Sequence, residues 1–202
     1  HTEADDFLVQ PVNLFSVKSA TIYETILQLC KEQKVRINIE ETRNFSEKTG
    51  INIPQKRITV DYLSSNISSI LTDLCKKDPT YFWEYSRNGM LNILPRSNTM
   101  GTYDNSTLEW GFTGFRVEKE TVGFVCSTAF SYGWSLYECG IHIQWPISNP
   151  TTNFKDFYVH INLPPATGRD GLNSIVKSAA HNYIWHLFWK NHKPIIEFKQ
   201  VF

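Results

Sequence analysis

Net charge is the first thing this 202-residue chain lacks, because 20 Lys and Arg balance 20 Asp and Glu. That balance removes the long-range attraction to phosphate on which nucleic-acid and anionic-membrane binders rely. Nucleic acid is therefore not an expected partner, and no run of Lys and Arg is dense enough to predict a local basic patch. Long hydrophobic runs are missing too: no stretch approaches the roughly 20 apolar residues of a membrane-spanning helix. Cysteine is scarce, with 4 in the chain, which excludes the disulfide scaffold of small secreted domains. Cys30, Cys75 and Cys126 lie inside apolar patterns and are expected to be buried small hydrophobes. Spacing alone leaves open a Cys126–Cys139 bridge. The chain opens on His1 with the polar lead Thr2-Glu3-Ala4-Asp5-Asp6 and no basic-then-apolar signal pattern, as a trimmed chain or a processed export product would.

What is present is enough apolar content, 41% against 20% charged residues, for a globular core. Leu14-Phe15-Ser16-Val17 alternates like a half-buried strand, and Ala20 to Lys34 carries Ile22, Ile26, Leu27, Leu29 and Cys30 near helical spacing. Val35-Arg36-Ile37-Asn38-Ile39 alternates as a second strand, and Glu40 to Gly50 reads as a polar loop. A second unit follows, with Arg57 to Val60 as strand, Ser65 or Asn66 as helix cap, and Ile67, Ile70, Leu71 and Leu74 on one helical face. Pro79 ends that helix. Two apolar runs, Tyr81 to Tyr85 and Met90 to Leu94, flank Asn88-Gly89, a strong hairpin signal.

The chain turns polar through Arg96 to Gly101, and beyond this break the pattern returns. Phe15, Val17, Thr21 and Ile22 correspond to Phe115, Val117, Thr121 and Val122, a shift of 100 positions. Leu71, Leu74, Cys75 and Trp83 have counterparts in Leu172, Ile175, Val176 and Trp185, with one inserted residue. Lys119 to Phe130 is a poor helix by propensity, and its helical assignment rests on the repeat. Gly168-Arg169-Asp170-Gly171 reads as a helix entry, and Lys190 to Pro194 as the turn of a second hairpin. The expectation is an α+β fold of two tandem βαβ-βαββ modules, spanning 8–96 and 107–202, with helices packed against small mixed β-sheets.

Phe15-Ser16-Val17 ahead of the first helix, Ile58-Thr59-Val60-Asp61-Tyr62-Leu63 ahead of the second, and the ending Phe82-Trp83-Glu84-Tyr85 with Asn88 to Pro95 resemble the short N-terminal domain shared by secretins and TonB-dependent transducers. The resemblance covers Val12 to Pro95 well and Gly114 to Phe198 loosely, and it rests on hydrophobic pattern. It implies two helices between small sheets, a periplasmic or exported location in the bacterial cell envelope, and docking of other proteins. The plug, barrel or ring that such a domain serves is not in this sequence, so no contact residue is carried over.

Chemistry-bearing patterns are few. His181, His186 and His192 crowd the C-terminus, but a helix end, a strand and a turn need not converge on a metal. Asp5-Asp6 and Glu40-Glu41 fall in a leader and a loop, where solvated charge is expected. No serine sits in a Gly-x-Ser-x-Gly elbow, Gly111 to Gly114 is no phosphate cradle, and no cofactor is implied. Three Asn-x-Ser/Thr sequences, at Asn44, Asn66 and Asn105, matter only in a eukaryotic secretory pathway.

Aromatics reach 14%, and Trp110, Tyr158, Trp185 and Trp189 are candidates for an exposed interaction surface. The expected function is a non-enzymatic envelope module that docks an unidentified protein, compatible with a homodimer. A carbohydrate- or peptidoglycan-binding domain using exposed aromatics is the alternative, and a hydrolase comes third.

Overall fold

Residues 8–46, 49–96, 108–109, 111–112, 114–128, 141–145 and 153–202 are described by the computed structural model. Strand β1 (Pro11–Ala20) leads into helix α1 (Ile22–Gln33), whose Thr21 cap accepts from the Glu24 amide while the Glu24 carboxylate accepts from the Thr21 amide. This reciprocal capping satisfies two of the donors that a helix start leaves open. Lys34 ends the helix in the left-handed region, and β2 (Ile37–Glu40) follows. Then come β3 (Ile58–Asn66), α2 (Ile67–Lys77) capped by Asn66, and the hairpin β4 (Tyr81–Tyr85) and β5 (Leu91–Pro95), with Gly89 at φ 81° in the turn. In the second half the order is β6 (Gly111–Phe112), β7 (Phe115–Thr121), α3 (Val122–Thr128), β8 (His142–Gln144), β9 (Tyr158–Leu163), β10 (Ala166–Thr167), α4 (Gly168–Ala179), β11 (Tyr183–Lys190) and β12 (Lys193–Gln200).

The result is a mixed α+β fold, with helices packed against one six-stranded sheet and three two-stranded ribbons. β1 pairs antiparallel with β3, and β7 with β9. Each ribbon has a register shift, between Val17 and Ala20 in one and between Glu118 and Glu120 in the other. A residue with positive φ lies inside each shift, Ser19 at 52° and Lys119 at 59°. That is the backbone of a bulge, which bends a ribbon and increases its twist. Gly114 enters β7 so close to Leu163 and Pro164 that a Cβ there would sit 2.5 Å from the Leu163 carbonyl oxygen.

The large sheet departs from the expectation of separate small sheets. Its order is β4-β5-β2-β11-β12-β8, so three strands from each half share one sheet, joined where β2 runs parallel to β11. The composition break at Arg96 to Gly101 does not mark a division of that sheet; residues 97–107 lie outside the described ones. Alternation along the strands divides two cores. Ile37, Ile39, Leu91 and Ile93 face α1, α2 and the β1–β3 ribbon, together with Ile184 and Val201 of the second half. Trp185, Leu187, Ile196 and Phe198 face α3, α4 and the β7–β9 ribbon, together with Met90 and Leu94 of the first. Neither core is complete without residues from the other half.

Between the second core and β2 lies a fully buried amide network. Asn38 Nδ2 donates to Asn92 Oδ1 at 3.1 Å and to Asn173 Oδ1 at 2.9 Å. The Trp185 amide donates to Asn38 Oδ1 at 3.1 Å, and its indole Nε1 to Asn173 Oδ1 at 2.7 Å. Around it, α4 is tied to the first half: Arg36 donates to the Val176 and Ala180 carbonyls at the helix end, and Asn88 to the Asp170 carbonyl and the Ser174 hydroxyl. Asn173→Ala leaves buried donors of Asn38 and Trp185 without their acceptor, each costing about 1–3 kcal/mol. Removal of the unpaired Asn173 Nδ2 offsets part of this. A net loss of about 2–4 kcal/mol in urea denaturation is expected.

Candidate functional site

Glu40 ends β2 and Glu41 follows it, and the sequence places both in a solvated loop. Instead both are buried, because the parallel seam continues past the strand: the Glu41 amide donates to the Leu187 carbonyl at 2.8 Å. Neighbouring residues of an extended chain point to opposite faces. The two carboxylates therefore enter different environments.

Glu40 turns toward α4 and meets Arg169, whose Nη2 and Nε lie 2.8 and 3.2 Å from Glu40 Oε2. Arg169 Nη1 also donates to Glu109 at 2.6 Å. Arg169 and Glu40 are both buried, so the pair is held in low dielectric with little screening. Removing one partner of such a pair strands a charge, at a cost of about 3–5 kcal/mol. Arg169→Ala is expected to destabilise the chain by that amount in urea denaturation, with Arg169→Ala/Glu40→Gln recovering part of the loss.

Glu41 turns toward α1 and meets His186. His186 Nε2 lies 2.6 Å from Glu41 Oε1, and Nδ1 lies 2.8 Å from Glu197 Oε1. Tyr23 of α1 stacks on the imidazole with ring centroids 4.0 Å apart and 8° between planes, and Phe188 stacks at 5.1 Å. Lys199 donates to the Tyr23 hydroxyl at 2.8 Å, the Tyr23 hydroxyl to Glu197 at 3.3 Å, and Gln55 to Glu41. These groups border a shallow hollow, whose rim is completed by Trp189.

Burial disfavours the His186 imidazolium, but hydrogen bonds to Glu197 and Glu41 and their negative charges outweigh it, raising the pKa above the ordinary 6.5. The bond from His186 likewise holds the Glu197 carboxyl below its ordinary 4.5, against the effect of burial. Burial and Glu197 push the Tyr23 phenol up. Each ring nitrogen faces a carboxylate, so the site favours the imidazolium over the neutral ring. The arrangement acts as an electrostatic clamp across β2, β11, β12 and α1.

The four aromatics singled out from sequence do not form one surface. Tyr158 is 61% exposed on β9. Trp185 is fully buried, because its position on β11 faces the second core and its indole donates to Asn173, so it is no surface residue. Trp189 is half-buried, with Nε1 donating to the Glu41 carbonyl at 3.3 Å, its ring under the Arg43 guanidinium and edge-on to Phe45. Trp110 lies outside the described residues. The three C-terminal histidines are also apart: His181 follows α4, and His192 stacks on Phe45 at 4.2 Å in the β11–β12 turn. Among the described residues no group of three or more His, Cys, Asp or Glu is placed to hold a metal.

Cys30, Cys75 and Cys126 are buried, and Cys139 lies outside the described residues. Burial pushes the Cys30 thiol up to about 12 and the Cys75 thiol to about 11. Both are held as thiols, the unreactive form.

A signal for the clamp was present in the sequence. Asn191 and His192 both have positive φ, at 50° and 61°, as a two-residue hairpin turn requires. Centring the hairpin on these residues places His186 directly opposite Glu197. Glu41 came from 145 residues away and had no such local signal. No known family model matches the chain, and no curated protein is similar to it in sequence.

The clamp makes stability depend on pH in a defined sense. The contribution of His186 is complete below its unfolded value near 6.5 and is lost as pH rises through its raised folded value. That of Glu197 is present above its unfolded value near 4.5 and is lost as pH falls through its lowered folded value. Thermal melts across this range are expected to place these two contributions together at a maximum between 4.5 and 6.5, with His186→Gln flattening the alkaline limb.

Proposed function

We propose that the chain is a non-enzymatic interaction module of the bacterial cell envelope, periplasmic or exported, that docks another protein. It is built as two copies of one βαβ-βαββ unit, 8–96 and 107–202, akin to the short N-terminal domain of secretins and TonB-dependent transducers. Several features support the two-copy reading. The two bulges sit 100 positions apart, at Ser19 and Lys119, each just ahead of a helix that starts at a threonine. Each half contributes an antiparallel ribbon, β1–β3 or β7–β9, and a hairpin whose second strand pairs in parallel with the strand after the first helix, β5 with β2 and β12 with β8.

The observation that carries the docking reading is the outer face of the β1–β3 ribbon. Leu14 and Leu63 lie directly opposite each other in the register and are 58% and 74% exposed. Among the described residues neither ribbon strand has a further strand partner, so backbone groups and apolar side chains are offered together. An edge with apolar side chains beside it is what strand addition by a partner uses. The clamp at His186 fits this reading, since it fixes the scaffold. A sugar-stacking surface has lost Trp185 to the core, which leaves the alternative with less to stand on.

The test is a pull-down from an envelope extract of the source organism with the folded chain and with Leu14→Ser/Leu63→Ser. Exposed substitutions of this kind change stability by about 0.5 kcal/mol or less, so folding is preserved. A specific protein retained by the wild type and lost by the double variant is expected. Retention of glycan fragments without protein would replace the docking reading with the carbohydrate one.

A further inference from the structure

The seam inside the sheet is a junction between unlike edges. β11, the first strand of the second hairpin, lies beside β2, the strand that follows the first helix. Under the two-copy reading, on which this inference rests, β11 is the counterpart of β4, and β8 is the counterpart of β2. The two strands left at the ends of the sheet are therefore β4 and β8, the same unlike pair that meets at the seam. Among the described residues neither has a strand partner on its outer side.

We infer that β8 of one copy of the chain accepts β4 of another, in parallel, repeating the β2–β11 seam and joining copies head to tail into a longer sheet. Register carries the correspondence to single residues. Asn38 faces Asn92 in the first half, and Gln144 faces Glu197 at the matching place in the second. Asn38 Oδ1 accepts from the Trp185 amide across the seam, and Gln144 supplies the same amide oxygen on one more methylene. On the other edge, the Arg96 amide donates to the Thr80 carbonyl, so alternation turns the backbone of Trp83 and Tyr85 away from β5 and outward. Trp83 is thus the donor that matches Trp185.

Defences on the two edges are few, the Arg96 guanidinium that donates to the Tyr81 carbonyl being one on β4. Exposed edges are commonly blunted by lysine, proline or inward charge. Tyr81 to Tyr85 contains one charge, Glu84, and His142 to Gln144 contains neither Lys nor Pro. The two halves keep the same strand order but opposite strand directions, so a half-turn about an axis across the strands relates them. Applying it twice restores the first orientation, so copies add without closing, as a head-to-tail interface does.

The test is sedimentation of the chain from low to high micromolar concentration, with Tyr85→Pro blocking the β4 edge and Gln144→Lys the β8 edge. Wild-type mass is expected to rise past two copies, each variant to stay monomeric, and an equal mixture of the two to form dimers and nothing larger. Near-UV circular dichroism checks folding, and Tyr85→Lys replaces Tyr85→Pro if the proline disrupts it. A monomeric wild type at every concentration overturns the inference. So does association of either variant alone to the wild-type extent, which would leave the two-copy reading intact and assign self-association to another surface.

Discussion

Two adjacent carboxylates at the end of one short strand hold this molecule together. Glu40 and Glu41 follow each other in sequence and are buried on opposite faces of the sheet, where each needs a cation. Burying a carboxylate without a partner is prohibitive. Both partners, Arg169 and His186, come from the second half of the chain, one through α4 and one through β11. The β2–β11 seam is consequently a place where the two halves cannot separate without exposing or stranding charge on both sides.

The rest of the packing follows from that seam. With β2 and β11 side by side, three strands from each half become one sheet, and each face is covered by helices of a different half. The first half lends Met90 and Leu94 to the second core, while the second lends Ile184 and Val201 to the first. The Asn38–Asn173–Trp185 network lies at the same seam and restricts its register, because a shift of one residue would turn Asn38 into the apolar core and leave Trp185 and Asn173 without their partners. Hydrophobic burial supplies most of the driving force. Buried polar groups select which of several sheet arrangements that force can stabilise.

Local pattern made much of the fold legible. The helix at Ile67–Lys77 with its Asn66 cap, the hairpin around Asn88-Gly89 and the helix entry at Gly168 all follow from side-chain period, capping chemistry and turn residues close in sequence. The joined sheet was not legible, since strand alternation states which residues face inward but not which strand lies beside which. Glu40 and Glu41 were misread for the same reason: two charges after a strand look solvated until a helix 129 residues away supplies an arginine and a strand 145 residues away a histidine. Trp185 failed differently, because a tryptophan in a strand tells of burial or exposure only once the face is known, and here its indole finds Asn173 inside.

The clamp bears on function through what it holds in place. His186 has a glutamate on each nitrogen and an aromatic ring stacked against it, so its charge is spent on cohesion. Backbone offers a contrast: the outer strands of the sheet and the β1–β3 ribbon retain hydrogen-bonding groups without strand partners among the described residues. A scaffold whose buried charges are paired internally, and whose outer strands have no further strand partner among the described residues, is suited to recognition through main chain and apolar contact. The parallel β2–β11 junction is itself recognition of this kind, between strands far apart in the chain.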